Sequence, residues 1–265
     1  MSKFLVGVLT TRDAEKARRC VDSVDCEDVD IVVISNSLDP EYLKKVEGSC
    51  AGYTVVETEC NGTPGKGKNS VLDYFIQQNY EYLLPIDGDD YYTKGGVKQL
   101  VRYVKMLEPE NSPDVIGQEN NPMTWEGEET NFENFFATIT SSTFANRSAR
   151  PNLRMLRQLK TTMDNIIPFN RFLLLSSYAA KSFRYNETLK AADDVMASFE
   201  LYSQTPELRY FLLKNQKFYF YDLEEGGVLH QFVNEANAEN MVPFFERVNE
   251  LDFTNSKVTY LGTFV

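Results

Sequence analysis

Four times within the first 107 residues, a short apolar run gives way to a polar turn and then to a segment with helical periodicity. That alternation leaves few folds open, because it calls for a parallel sheet with right-handed crossovers. The first run is Phe4 to Leu9, and Asp13 is placed to cap a helix carrying Ala14, Ala17, Val21 and Val24. Ile31 to Ile34 ends in Ser35-Asn36-Ser37, and a short helix is expected after Pro40. Tyr53 to Glu57 precedes a helix with Val71, Leu72, Phe75 and Ile76 facing inward. The fourth strand precedes a helix with Val97, Leu100, Val101 and Val104 on one face and Thr93 as its expected cap. Ligands of such sheets bind at the carboxyl ends of the strands, where strand order reverses. If the first strand neighbours the fourth, Thr10, Thr11 and Arg12 line one crevice with Asp87 to Asp90.

The fourth strand carries the chemistry. Glu81-Tyr82-Leu83-Leu84-Pro85-Ile86 runs into Asp87-Gly88-Asp89-Asp90. If the extended conformation persists past Ile86, Asp87 and Asp89 share a face and converge. Converging carboxylates call for a cation, and hard oxygen ligands select Mg²⁺, Mn²⁺ or Ca²⁺. Gly88 lacks a Cβ, so a ligand can approach its backbone closely. The competing reading is an acidic turn in which Asp90 caps the next helix.

A formal net charge of -12 argues against broad binding to nucleic acid or to an anionic membrane, while leaving room for a local basic patch. Apolar runs such as Phe172 to Leu175 are far shorter than a membrane span, and the first run stops at Leu9, so no signal peptide is expected. Cys20, Cys26, Cys50 and Cys60 match neither a zinc site nor a CxxC pair. They read as reduced thiols in a cytoplasmic protein.

Gly62-Thr63-Pro64-Gly65-Lys66-Gly67-Lys68-Asn69 has the glycine and lysine spacing of a P-loop, with Asp87 available as a Walker B acid. An NTPase or kinase is therefore one reading. Against it, Asn69 stands where a Ser or Thr hydroxyl binds Mg²⁺, Pro64 removes an N–H from the phosphate cradle, and the loop follows the third strand. Under any reading, Lys66 and Lys68 at a helix N-terminus oppose the helix dipole, and an anion beside them would reverse that penalty.

The order of these pieces resembles the GT-A glycosyltransferases, most of all the inverting family 2 type. The resemblance rests on Thr10-Thr11-Arg12, Val32-Val33-Ile34-Ser35-Asn36-Ser37, Gly65-Lys66-Gly67-Lys68-Asn69-Ser70 and Leu83-Leu84-Pro85-Ile86-Asp87-Gly88-Asp89-Asp90. It continues at Phe183-Arg184-Tyr185-Asn186-Glu187 and at Asp193-Asp194 before a helix. It covers residues 3–105 well and 166–230 loosely.

The resemblance implies a metal-dependent transfer of sugar from a nucleoside-diphosphate sugar, UDP-sugar first, to an acceptor hydroxyl with inversion. Asp87-Gly88-Asp89 matches the DxD motif, with Asp89 and Asp87 on Mn²⁺ or Mg²⁺ and His230 as a further ligand. Asp194 matches the catalytic base and Asp193 its acidic neighbour. Thr10, Thr11, Arg12, Ser35, Asn36, Lys66, Lys68, Asn69, Asp87 and Gly88 fall on the nucleotide-sugar side. Ser35 stands where the family has a base-reading Asp, and Lys68 where it has Arg. A carbohydrate-binding module without catalysis is the further alternative.

Residues 1–107 form the donor half in this reading, and 108–265 the acceptor and catalytic half of the same compact domain. The polar stretch Gly117 to Phe132 reads as a loop and holds Trp125, the only tryptophan and an acceptor-site candidate. Between Asn134 and Met163 there is no Asp or Glu, and Arg150, Arg154 and Arg157 recur at helical spacing after Arg147. This stripe either pairs with the protein's own carboxylates or faces an acceptor. The acceptor is then a glycan or a phosphate-bearing molecule such as DNA with a hydroxylated base.

Overall fold

The structure, a computed structural model, describes residues 3–107, 111–118, 122–125, 128–131, 172–190, 193–213, 218–222, 242–254 and 257–264. The first 107 residues follow the expected alternation: β1 (Phe4–Thr10), α1 (Ala14–Asp22), β2 (Val29–Ser35), α2 (Tyr42–Ser49), β3 (Thr54–Glu57), α3 (Pro64–Gln77), β4 (Tyr82–Asp87), β5 (Tyr91–Tyr92) and α4 (Gly96–Met106). There follow β6 (Val115–Gln118), β7 (Pro122–Trp125), β8 (Glu128–Asn131), β9 (Phe172–Ser176), α5 (Ser177–Ser182), α6 (Asp193–Gln204), β10 (Glu207–Leu213), β11 (Tyr219–Asp222), α7 (Val242–Glu250) and β12 (Lys257–Phe264).

An eight-stranded sheet has the order β12-β10-β6-β9-β4-β1-β2-β3. β1 lies between β2 and β4, parallel to both, so the first strand does neighbour the fourth and strand order reverses there. β9 runs antiparallel between β4 and β6 and joins the later strands to this sheet. Phe4, Val6 and Val8 of β1 pack toward α1, α2 and α4, while Leu5 and Leu9 pack toward α3 and α5, the period of two of a strand covered on both faces. Asp114 fixes the β9 side: its carboxylate accepts from the Arg209 N–H at 2.9 Å and from Arg209 Nε at 3.2 Å. Its carbonyl accepts from the Ser176 N–H at 2.8 Å.

A proline inside β4 has a local reason. Tyr82 and Gly88 donate their N–H groups to β1, at Lys3 and Leu9, so even-numbered residues face β1 and Pro85 faces β9. β9 pairs with β4 only at Tyr82 and Leu83, so no ladder bond is lost where the proline sits.

The Gly117 to Phe132 stretch differs from the expected loop. It contributes the end of β6 and the strands β7 and β8, which belong to a four-stranded sheet of order β5-β11-β7-β8. Cross-strand pairing with β11 and between β7 and β8 supplies the order that the polar composition conceals. The stretch from Arg150 to Arg157, whose basic residues recur at helical spacing, lies outside the described residues. The helix after Tyr92 is capped by Gly95, in the left-handed region at φ 79°, rather than by Thr93, whose carbonyl accepts from the Gly96 N–H.

Packing of α3 against the 185–187 segment depends on Gly65. A Cβ there would lie 2.2 Å from the Asn186 carbonyl oxygen, a backbone atom with no rotamer to yield. Gly65→Ala is expected to destabilise the chain by about 1–3 kcal/mol, as overpacking does, read from the urea midpoint at unchanged slope.

Candidate active site

β4 delivers Asp87 to the carboxyl edge, and the chain turns at once. The Asp90 N–H donates to the Asp87 carbonyl at 3.0 Å, which makes Asp87 to Asp90 a β-turn. The extended conformation therefore stops at Asp87, and Asp89 lies within the turn, so the condition for the two carboxylates to share a strand face is not met. The Gly88 N–H bonds the Leu9 carbonyl at 2.7 Å, and a Cβ on Gly88 would meet that oxygen at 2.9 Å and the Thr10 Cβ at 3.1 Å. β1 approaches this glycine closely.

Asp90 is not the cap of the next helix. It is fully buried, and its carboxylate accepts from the Tyr219 hydroxyl and, at 3.0 Å, from the Asp222 N–H. It bolts β11 to the turn.

Lys68 joins the two acidic clusters. Its Nζ donates to Asp193 at 2.8 Å and to Asp194 at 2.5 Å, and lies 3.7 Å from Asp87. The Tyr185 ring sits beneath it, with the centroid 5.6 Å from Nζ. The Lys68 side chain is 12% exposed, that of Asp193 10%, and that of Asp194 31%, so Asp194 is the carboxylate open to an incoming group. Burial pushes the Asp193 carboxyl above its ordinary range; Lys68 opposes that shift and the Asp194 charge adds to it. Burial likewise raises the Tyr185 hydroxyl. The anions that answer Lys68's place against the helix dipole are thus the protein's own. Asp193 and Asp194 open α6, where the dipole favours negative charge. Arg247 of α7 holds α6 from behind, bonding the buried Glu200 at 2.6 and 3.0 Å.

Lys66 makes only loose approaches, 3.8 Å to Glu187 and 3.9 Å to Glu59. The two candidate asparagines serve the fold. Asn69 is buried; its amide donates to the Tyr185 carbonyl at 3.0 Å and to Glu187 at 2.8 Å, and its oxygen accepts from the Tyr185 N–H at 2.9 Å. It clamps the segment that leads toward Asp193. Asn36 donates to Thr58 at 2.9 Å and to the Glu59 carbonyl at 2.8 Å, tying the end of β2 to the chain after β3. Both were expected on the nucleotide side, and their amides are turned inward instead. Thr10 is buried and bonds the Tyr42 hydroxyl at 2.5 Å, and Ser35 is buried at the end of β2. Thr11 and Arg12 are exposed at the mouth of the crevice.

The P-loop reading fails on backbone geometry. A phosphate cradle needs Gly62 to Gly67 as a loop, yet α3 begins at Pro64, with Thr63 as its cap. Gly65 and Gly67 serve close packing: a Cβ on Gly67 would meet the Leu9 side chain at 2.8 Å and the Asn36 side-chain oxygen at 3.1 Å.

Trp125 ends β7, one residue past the Thr124–Asp222 pairing with β11. His230, Arg150, Arg154 and Arg157 lie outside the described residues. Sequence reasoning missed Tyr185, Glu187, Arg19 and Asp222. The aromatic two residues beyond Phe183 is the one sequence signal for Tyr185.

Among the described residues, no three of His, Cys, Asp and Glu gather as a metal cage. Asp87 and Asp89 are hard oxygen donors two residues apart, a set that would hold Mg²⁺ or Mn²⁺ only together with substrate phosphates and water. A cavity of about 20 Å³, room for about one water, lies beneath the cluster between Lys68, Asp87, Asp194 and Tyr185 above and Val71 and Phe172 below. Cys20, Cys26, Cys50 and Cys60 are free thiols. Among the described residues, no helix is long and apolar enough to cross a membrane.

No protein-family profile and no curated protein sequence matches the chain. Solved structures do. S. aureus TarS 1-349 in complex with UDP-GlcNAc aligns with a TM-score of 0.56 at 18% identity, over 86% of this chain and 60% of that one. TarS 1-349 in complex with UDP aligns at 0.55 and 18%, over 96% and 74%. A further S. aureus TarS structure aligns at 0.54 and 19%, over 91% and 40%. The chain thus spans less than two thirds of the first of these structures. A mainly parallel sheet reversing at β1 and β4, the antiparallel β9, helices on both faces and these alignments together give the chain the GT-A glycosyltransferase fold.

Proposed function

We propose that the chain is a glycosyltransferase that moves a sugar from a nucleoside-diphosphate sugar, UDP-sugar first, to an acceptor hydroxyl by inverting displacement. The observation that carries this reading is Lys68. One ammonium group brings together Asp87 at the end of β4 and Asp193–Asp194 at the start of α6, more than 100 residues apart in sequence. An anion-neutralising end and an open carboxylate then face one crevice. The fold adds support, since TarS adopts it in complexes with UDP-GlcNAc and with UDP.

Asp89, with Asp87, would hold a divalent cation, whose chemistry is to neutralise charge on a diphosphate. Thr11 and Arg12 border the donor at the mouth of the crevice. Asp194 accepts the proton from the acceptor hydroxyl as that oxygen attacks the anomeric carbon. Asp193, more deeply buried, keeps Lys68 in place beside Asp194. The acceptor, a glycan or a phosphate-bearing molecule, would meet the second half of the chain.

Calorimetry with UDP and Mn²⁺ tests the donor side. Asp89→Asn is expected to lose the Mn²⁺-dependent part of UDP affinity, about tenfold or more, while keeping its unfolding midpoint. Unchanged Mn²⁺ dependence in the variant would remove the cation from Asp89.

A further inference from the structure

Behind the acidic turn stands a side chain outside the roles given above. Arg19, in the last turn of α1, reaches over the turn from the side opposite Lys68's carboxylates. Its Nη2 donates to the Asp89 carbonyl at 2.6 Å and to the Asp222 carboxylate at 2.7 Å. Its guanidinium lies over the Tyr91 ring, 4.7 Å from the centroid, and that ring stacks on Phe220 at 5.0 Å. Asp222 in turn gives its N–H to Asp90. Asp89 and Tyr91 of the turn, Asp222 at the end of β11, and α1 therefore meet at one guanidinium, and Asp90 joins them through Asp222.

A contribution to stability alone does not account for this arrangement. The Arg19 side chain is 43% exposed, and ion pairs of exposed side chains contribute little to stability. What Arg19 fixes is the peptide of Asp89, from which the carboxylate is reached by only two side-chain torsions. It does so without repelling a cation on the far side, because Asp222, whose side chain is 14% exposed, neutralises it.

We propose that Arg19 is a positioning residue, which holds the Asp89 peptide so that its carboxylate is presented to a divalent cation. This rests on the reading of Asp89 as a cation ligand, and the test separates the two. Mn²⁺ is titrated by calorimetry into the whole chain saturated with UDP, for wild type, Arg19→Ala, Arg19→Lys and Asp89→Asn, with metal-free UDP affinity and unfolding midpoints measured alongside.

Arg19→Ala is expected to weaken Mn²⁺ binding about 10-fold, in the range of other groups that orient a metal ligand. Arg19→Lys is expected to fall between it and wild type, since an ammonium keeps the charge but not the planar fork or the ring stacking. Metal-free UDP affinity stays as in wild type. The proposal is overturned if Asp89→Asn loses its Mn²⁺ response while both Arg19 variants keep it, or if Arg19→Ala moves only the unfolding midpoint. A wild-type Mn²⁺ response in Asp89→Asn itself would overturn the cation reading of the turn, and the role of Arg19 with it.

Discussion

Asp194→Asn is expected to bind donor as wild type does and to transfer its sugar about 10²–10⁴-fold more slowly, the range lost with a general base. The change keeps the side chain's shape and removes one proton acceptor. Lys68 retains its bonds to Asp193 and its approach to Asp87, so the crevice keeps its counter-charge. Asp194 is singled out from its neighbour by exposure: Asp193 is buried against Lys68, whereas Asp194 presents part of its carboxylate outward. Single-turnover transfer measured beside donor affinity separates chemistry from binding. Transfer at the wild-type rate by this variant would exclude Asp194 as the base.

Lys68→Met is expected to cost about 3 kcal/mol of stability near neutral pH, because removing one member of a buried ion cluster leaves the others uncompensated. Three carboxylates then face one another with no ammonium among them. The deficit should shrink with acidification. Burial already raises the Asp193 carboxyl above its ordinary value of 3.8, and Lys68 is what holds that rise back. A carboxyl whose value is higher in the folded chain binds its proton more tightly when folded. Stability is therefore gained as pH falls through the range above 3.8 and lost as pH rises through it. Urea unfolding of wild type and variant in metal-free buffer at several pH values reads this directly. A deficit that is constant with pH would mean that Lys68 supports the fold by packing and not by charge.

The first 107 residues were legible because strand and helix periods are local signals. Phe4 to Leu9 and the helix built on Val71, Leu72, Phe75 and Ile76 declare themselves within a few residues, whereas the β1–β4 adjacency is one of several strand orders that such a pattern allows and is shown by the pairing. The second half was less so, because its order is set at a distance. β9 is central only through pairing with β4 and β6, and β7 acquires its place from β11.

Within the site, residue type suggested chemistry where geometry assigns support. Asn36, Asn69, Gly65, Gly67 and Gly88 sit in the expected motif, yet their contacts are internal. Motif positions beside a ligand and motif positions that let two backbones close together look alike in one dimension. Asp90 makes the same point: three acids in four positions read as one cluster, and the third is a buried bolt to Tyr219 and Asp222. Arg19 carried no signal, because a basic residue in a helix's last turn is commonplace.

If the crevice between the ends of β1 and β4 takes a nucleoside diphosphate on a cation held by Asp89, a crystal structure of the chain with UDP and Mn²⁺, read at the manganese anomalous edge, will show it. An anomalous peak is expected within about 2.0–2.3 Å of an Asp89 carboxylate oxygen, with the diphosphate on its other side and Thr11 and Arg12 beside the nucleotide. UDP bound away from the β1 and β4 ends, or a peak with no contact to Asp89, would contradict it.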